Sequence, residues 1–520
     1  MRRFVIAVDV GTASARAGLF DGDGYMKARS VYPLDLSRDT AQRGEYSSEN
    51  IWQAVATTVR AVRAEADIEA SEIAAIAFGA TCSLVFQPAG EKPAALSRQG
   101  FDTIAWFDHR ASAEAFECTA TGHDVLSRLG GVMSPEMQIP KLMWARRNRP
   151  DLLESGGNVF DLADFLTFLA TGSTQRSIST LASKWTYLPE TETGWSHDFL
   201  KAVGLEDLPA RDGLDRRPLA IGAAIGPLTA NAARDLGLDE AVLVAPGMVD
   251  AYAGALGVLP PPQTGSPSPL ALIGGTSSCL VGQSAVPHHG KSLWGPFFSA
   301  LYRGSYLVEA GQSATGGLLN HLLEASSAGG TATEALHDRV IARIKTLRAM
   351  EGDSFASGIT MVPDFHGNRS PFADPAMTGM IAGLTLDKSF DGLCRLYFRA
   401  LVAIALGLKQ VIGAMAEAGF AADTLLLAGG HARNPLLREI YPDVTGKTLV
   451  LAREKDAVLL GSAINAASAA GLHAGLAAAA VAMQASELTV VPDPRRTRLY
   501  ERDMQRLLIL QDCQAQLRAV

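Results

Sequence analysis

Two carboxylates stand where strands should end. Asp9 closes the apolar run at residues 4–8 and is followed by Val10, Gly11 and Thr12. Asp250 follows the apolar residues 241–245 and the segment 246–249, and precedes the small-residue run 251–257. Such a residue can be a turn carboxylate or a helix N-cap. It can also do chemistry: Asp9 as a water-mediated partner of Mg²⁺, which keeps several waters and takes few carboxylates, and Asp250 as a general base for a substrate hydroxyl. Gly11-Thr12 and Gly274-Gly275-Thr276 each follow an apolar strand. Glycine lets backbone N–H groups converge on one point and threonine adds a hydroxyl, so such turns hold phosphate without a lysine. A third turn, Gly429-Gly430, offers backbone against which a nucleoside can lie. Trp106-Phe107-Asp108-His109-Arg110 sets an aromatic face beside an acceptor and donors, the combination a carbohydrate site needs. It also reads as a helix start with a core Trp.

Other phosphate devices are missing. Gly290-Lys291-Ser292 and Gly446-Lys447-Thr448 both lack the upstream glycine of a P-loop, and there is no GxGxxG, HExxH or GxSxG.

The elements that must position these residues alternate between strand and helix. Residues 4–8 and 16–20 read as strands joined to the hairpin turn Asp21-Gly22-Asp23-Gly24. Ile51, Val55, Val59 and Val62 keep helical spacing, and residues 73–78 read as a buried strand. Five prolines between 260 and 269 mark a linker that divides the chain almost in half. Residues 270–273 then repeat the opening pattern of strand and Gly-Thr turn, which suggests a duplicated α/β unit. A long helix is expected over 393–418, strands over 424–427 and 448–451, an Ala-rich helix from Asp456, and a packing helix from Tyr500. Asn434 and Pro435 read as N-cap and N1 of a helix.

Composition bounds the rest. The 520 residues are 48% hydrophobic and only 19% charged, against ~25% in ordinary soluble domains. That excludes a disordered chain. The net charge of −8 gives no general attraction to nucleic acid or an anionic membrane. Five cysteines without a CxxC pair argue against a disulfide framework or a zinc site. Residues 463–483 are too rich in Ala and Gly for a membrane span. A cytoplasmic protein is expected, with a homodimer as the default assembly.

Taken together, these segments resemble the FGGY carbohydrate kinases of the actin-like ATPase superfamily. The match rests on 9–17, 106–110, 249–251, 274–279 and 427–435. Within the family the chain is most similar to the D-ribulokinase branch, through 80–84, 184–187, 294–296, 311–316 and, above all, Pro363-Asp364-Phe365-His366-Gly367-Asn368-Arg369-Ser370-Pro371. The resemblance implies an α/β fold of two ribonuclease-H-like domains around a central cleft. The N-terminal domain would be residues 1–258, the linker 259–269 and the nucleotide-binding domain 270–520. It implies ATP and Mg²⁺ in the cleft and a sugar or polyol substrate on the N-terminal side. By carry-over Asp250 would be the base, near the metal, and Asp9 would hold Mg²⁺ through water. Gly11, Thr12, Gly275 and Thr276 would contact phosphates, and Gly429, Gly430 and Asn434 would border the adenosine. Asp108, His109 and Arg110 would hold sugar hydroxyls, with Thr81, Cys82 and Lys184 nearby. D-ribulose is the implied acceptor, with L-ribulose, xylulose and ribitol as alternatives. An actin-like ATPase and a sugar-binding pseudokinase are the rivals from other classes. The polyol-type cluster at Trp106–Arg110 argues against the first, and Asp9 with Asp250 argues against the second. Two positions depart from the branch: Gly79 where it has Asp, which would remove a carboxylate near the sugar, and Tyr252 where it tends to have His.

Overall fold

A computed structural model describes residues 2–40, 43–87, 95–154, 157–263 and 268–519. Within them, two seven-stranded sheets organise the two halves of the chain. The linker assigned to 259–269 falls partly outside the described residues, at 264–267.

The N-terminal sheet starts from β1 (Phe4–Val10), seven residues that are all buried. β2 (Ser14–Asp21) returns antiparallel to it, and β3 (Met26–Pro33) follows through the 21–24 turn, where Asp21 Oδ1 accepts from the N–H groups of Asp23 and Tyr25. The amphipathic helix α1 (Ser48–Ala66) buries Ile51, Val55, Val59 and Val62 and leads to β4 (Ile73–Ala80), which pairs parallel with β1 on its other side. The short strands β5 (Gly226–Pro227), β6 (Leu243–Val244) and β7 (Met248–Val249) complete the sheet. Its register sets Asp9 opposite Arg16 on β2 and opposite Gly79 on β4.

The C-terminal sheet repeats that plan. β8 (Leu270–Gly274) pairs antiparallel with β9 (Ser278–Ser284) and parallel with a later strand, as β1 does with β2 and β4. β10 (Trp294–Phe298) and β11 (Tyr306–Gln312) extend one side; β12 (Thr424–Gly429), β13 (Thr448–Ala452) and β14 (Ser486–Val490) extend the other. The echo between the two Gly-Thr turns is therefore a repeat in topology.

Helices fix how the halves meet. The helices α2 (Gln138–Asn148) and α3 (Ile178–Lys184) wall the N-terminal half, and α4 (Asp250–Leu256) leaves β7 toward the cleft. In the second half come α5 (Gly316–Ala325), the core helix α6 (Phe390–Glu417), α7 (Pro435–Thr445), α8 (Ala457–Ala469) and the tail helix α9 (Pro494–Ala519). Although α8 follows β13, it packs on α4 and on the face of β1 and β4. Small residues allow that crossing: a Cβ at Gly461 would collide with Ala253 O, and one at Gly257 with Ala457 O. Among the described residues α6 alone is long and apolar enough to cross a membrane, and it is a mostly buried core helix.

Candidate active site

Between the halves lies a cavity of about 510 Å³. Asp250, the first residue of α4, is on its wall, with Thr81, Cys82, Trp106 and Lys184 from the N-terminal half and Gly275, Thr276, Gly429 and Gly430 from the C-terminal half. Burial raises the Asp250 carboxyl above its ordinary value, against the pull of the Ala251 N–H and of Lys184 and Arg16. A carboxylate held that way is a better proton acceptor than one in water.

The polar wall beside Asp250 draws on both halves. Lys184 and Glu309, 4% and 3% exposed, lie 3.5 Å apart. Burial works most strongly against the Lys184 charge, but Glu309, with Cys82 and Glu136 adding, holds the ammonium above its ordinary value. Tyr252 donates to Glu309 Oε2 at 2.8 Å. Lys184 Nζ sits 4.6 Å over the Trp294 ring, and the Arg369 guanidinium 5.0 Å over the same ring. Opposite them, the Trp106 indole donates to Thr12 Oγ1 at 2.9 Å, and Lys141 of α2 donates to the carbonyls of Ala105 and Trp106 from beneath. The result is an aromatic-walled pocket with fixed donors and acceptors, the surface a polyol fits.

The turn at Gly275-Thr276 is held from below. Thr315 and Gly317 donate backbone N–H groups to Thr276 O, and Gly316 to Gly275 O. A Cβ on Gly274 would fall onto the His431 ring, and Gly429 has φ of 79°. Glycine is required at both places by close approach and by backbone sign. Arg16, Arg29, Arg433 and Lys455 also line the cavity, so local cations accompany the backbone N–H groups on this side.

Asp9 is fully buried and ion-paired with its register partner Arg16. Burial pushes its carboxyl up to about 7, with Arg16 opposing and Asp250 and Asp456 adding. Neither of its oxygens has a hydrogen-bond donor. Asp9 is not on the cavity wall, where its ion-pair partner Arg16 stands, so with Asp250 on that wall it fits Mg²⁺ only as a partner through water.

Several expected contacts fall elsewhere. Asp108 is fully buried and spent on Gly44 N and on the N, Nε and Nη2 of Arg110. Arg110 also bonds Glu45, so both side chains tie the Trp106 loop to its neighbours and neither lines the cavity. His109 is also off the wall, 3.9 Å from Glu136 Oε1. Gly11 donates its N–H to Ser14 O, and Thr12 accepts from Trp106 and Tyr46; neither lines the cavity. Asn434 caps α7 through Leu436 and Leu437, and Arg433 takes the wall position instead. Gly79 faces α4 and α8: a Cβ there would meet Ser462 Oγ at 3.1 Å and Ala253 Cβ at 3.4 Å, so the position is one of close helix packing. The pocket is not confined to the N-terminal side, because Glu309, Arg369, Trp294 and Cys279 come from the other half. Glu309 had one sequence signal, a lone acid within the buried strand β11.

Comparison with known proteins decides the family. Residues 4–257 match the model of the FGGY family of carbohydrate kinases, N-terminal domain, and residues 270–470 match its C-terminal domain. The chain belongs to the FGGY family of carbohydrate kinases. As an FGGY kinase it is an ATP-dependent phosphotransferase acting on a sugar. It is 37% identical to an FGGY carbohydrate kinase domain-containing protein of Homo sapiens, over 100% of this chain and 98% of that one. It is 34% identical to a D-ribulokinase of Saccharomyces cerevisiae, over 90% of this chain and 72% of that one. The xylulose kinase structure from Rhodospirillum rubrum superposes with a TM-score of 0.81 at 21% identity, covering 99% of both chains. A glycerol kinase from Plasmodium falciparum with ADP gives 0.76 at 13% identity, covering 97% of both. The FGGY fold, two domains of the actin-like ATPase type, is thereby the fold of this chain.

Proposed function

We propose that this FGGY kinase transfers the γ-phosphoryl group of ATP to the primary hydroxyl of an open-chain ketopentose, D-ribulose first, giving D-ribulose 5-phosphate. The observation that carries the reading is the place of Asp250, on one cavity wall with the polar aromatic pocket and with the Gly275-Thr276 turn. The likeness to a D-ribulokinase over most of the chain supports the choice of sugar.

In this reading residues 1–258 carry the base and much of the sugar pocket, 259–269 link, and 270–520 bind the nucleotide. Asp250 accepts the proton of the attacking hydroxyl. In a loose transition state the proton leaves late, so orientation matters more than basicity. Lys184 and Glu309 orient the sugar, and Trp106 and Trp294 supply the flat faces. The backbone N–H and hydroxyl of Thr276, with Arg16 and Arg433, stabilise charge on the transferred group, while the Gly275 N–H is donated to Ser277 O and shapes the turn. Gly429 and Gly430 border the nucleoside. Asp9, with Asp250 as the second carboxylate, would hold Mg²⁺, which supplies Lewis-acid neutralisation of the phosphates. Five free cysteines accord with a reducing cytoplasm.

The test is a coupled ADP assay over D-ribulose, L-ribulose, xylulose and ribitol, ranked by kcat/KM. D-ribulose is expected first, with ADP formed only when a sugar is present. Sugar-independent ADP release would contradict the kinase reading, and another sugar ranking first would contradict the substrate.

A further inference from the structure

Of residues 363–371, Arg369 alone lines the cavity. Its side chain is 15% exposed and comes from the C-terminal half. The guanidinium lies 3.5 Å from Glu309 Oε1 and 3.7 Å from Glu136 Oε2, a residue of the N-terminal half. Nη1 is 3.6 Å from Cys279 Sγ. Among the described residues it makes no hydrogen bond to an oxygen. An arginine carries five N–H donors and no acceptor. Such a fork, largely buried and facing a cavity, calls for acceptors, and its planar shape suits two oxygens at once.

An open-chain ketopentose offers one oxygen that accepts and cannot donate, its carbonyl. A pentitol has a hydroxyl there, whose own proton needs an acceptor as well. Glu309 Oε2 faces Lys184 and Tyr252, the second residue after Asp250, whereas its Oε1 faces Arg369, which sets Arg369 across the Glu309 carboxylate from Lys184 and Tyr252. The carbonyl carbon of a ketopentose phosphorylated at its far primary hydroxyl is three carbons from the one that carries the reacting oxygen, so it too is removed from the base.

We propose that Arg369 binds the carbonyl oxygen and the adjoining hydroxyl oxygen of the ketose, and so selects ketoses over pentitols. This rests on the ketopentose reading above. It also means that a bound sugar is touched from both halves of the chain.

The full-length enzyme and its Arg369→Gln and Arg369→Lys variants are assayed for ADP formation with D-ribulose and with ribitol. Arg369→Gln is expected to lower kcat/KM for D-ribulose about 30-fold, the scale of one charged hydrogen-bond site, while ribitol changes by no more than about 3-fold. Arg369→Lys keeps a charge between the two carboxylates but loses the fork, and should fall between wild type and Arg369→Gln for D-ribulose alone. The KM for ATP should not move. Equal losses for both acceptors, or a change confined to ATP, would overturn the inference and leave the ketopentose reading standing. A wild-type enzyme that phosphorylates pentitols and no ketose would overturn both.

Discussion

Tyr252, on the first turn of α4, donates its phenolic hydrogen to Glu309 Oε2 at 2.8 Å, across the line where the two halves of the chain meet. Both groups are buried, and the same carboxylate faces Lys184 and Arg369. Tyr252, one of the two positions that depart from the D-ribulokinase pattern, thus holds Glu309 in place.

Removing that bond should be felt by the sugar. A hydrogen bond to a charged group contributes about 1.5–3 kcal/mol, so Tyr252→Phe should lower kcat/KM for the sugar by at least about 10-fold. The KM for ATP should stay where it is. Steady-state kinetics with each substrate varied in turn checks this, and a change in ATP affinity alone would speak against it.

Gly274 ends β8 next to the Gly275-Thr276 turn, and a Cβ there would fall onto His431. Gly274→Ala should cost about 1–3 kcal/mol through overpacking. It should also raise the KM for ATP, because the turn it supports must shift. His431→Ala in the same chain should recover part of both effects. Thermal melting and ATP kinetics of the single and double variants measure this.

Asp161 gives a pH signature from behind the cavity wall, since Gln138 Nε2 donates both to it and to the carbonyl of Cys82. It is fully buried, accepts from Gln138 Nε2 at 3.0 Å, and its Oδ1 has no partner. Burial first, then Asp164, push its carboxyl from the ordinary 3.8 up to about 7. Between those values the folded chain keeps a proton that the unfolded chain has released. The group's contribution is therefore complete below about pH 4 and is lost as pH rises through about 7. Asp161→Asn does not titrate, so its stability relative to wild type should grow from pH 4 to 7 and then level off. Denaturant midpoints of both proteins at pH 5 and pH 7.5 test this; a difference independent of pH would contradict it.

How far the residue string announced this molecule depends on whether a feature is local. The strand end at Gly274, the cap Asn434, the helix start at Asp456 and the small-residue helix after Asp250 are all set by neighbours within a few positions, and each is found, whereas β1 runs one residue past Asp9. The pairing of two similar sheets followed from the repeated strand and Gly-Thr turn. The pocket was only partly legible, because charge-bearing residues can satisfy one another before any ligand arrives. Asp108 and Arg110 have the chemistry of a sugar site but are consumed by each other, by Gly44 and by Glu45. Glu136, Glu309 and Arg369 lie far apart in the chain and become one cluster only when the halves meet. Gly79 reads as a lost carboxylate near the sugar because the resembled branch has Asp there; the alternation of a strand turns its Cβ position toward α4 and α8.

The central claim is that Asp250 accepts the proton of the sugar hydroxyl, and one variant addresses it most directly. Turnover and sugar affinity of Asp250→Asn are measured side by side, by ADP-coupled assay and by calorimetry with D-ribulose. The account predicts a loss of turnover of at least about 100-fold, the scale of general-base catalysis, with the dissociation constant for the sugar changed by no more than a few-fold. Near-normal turnover in that variant would remove Asp250 from the role and contradict the account.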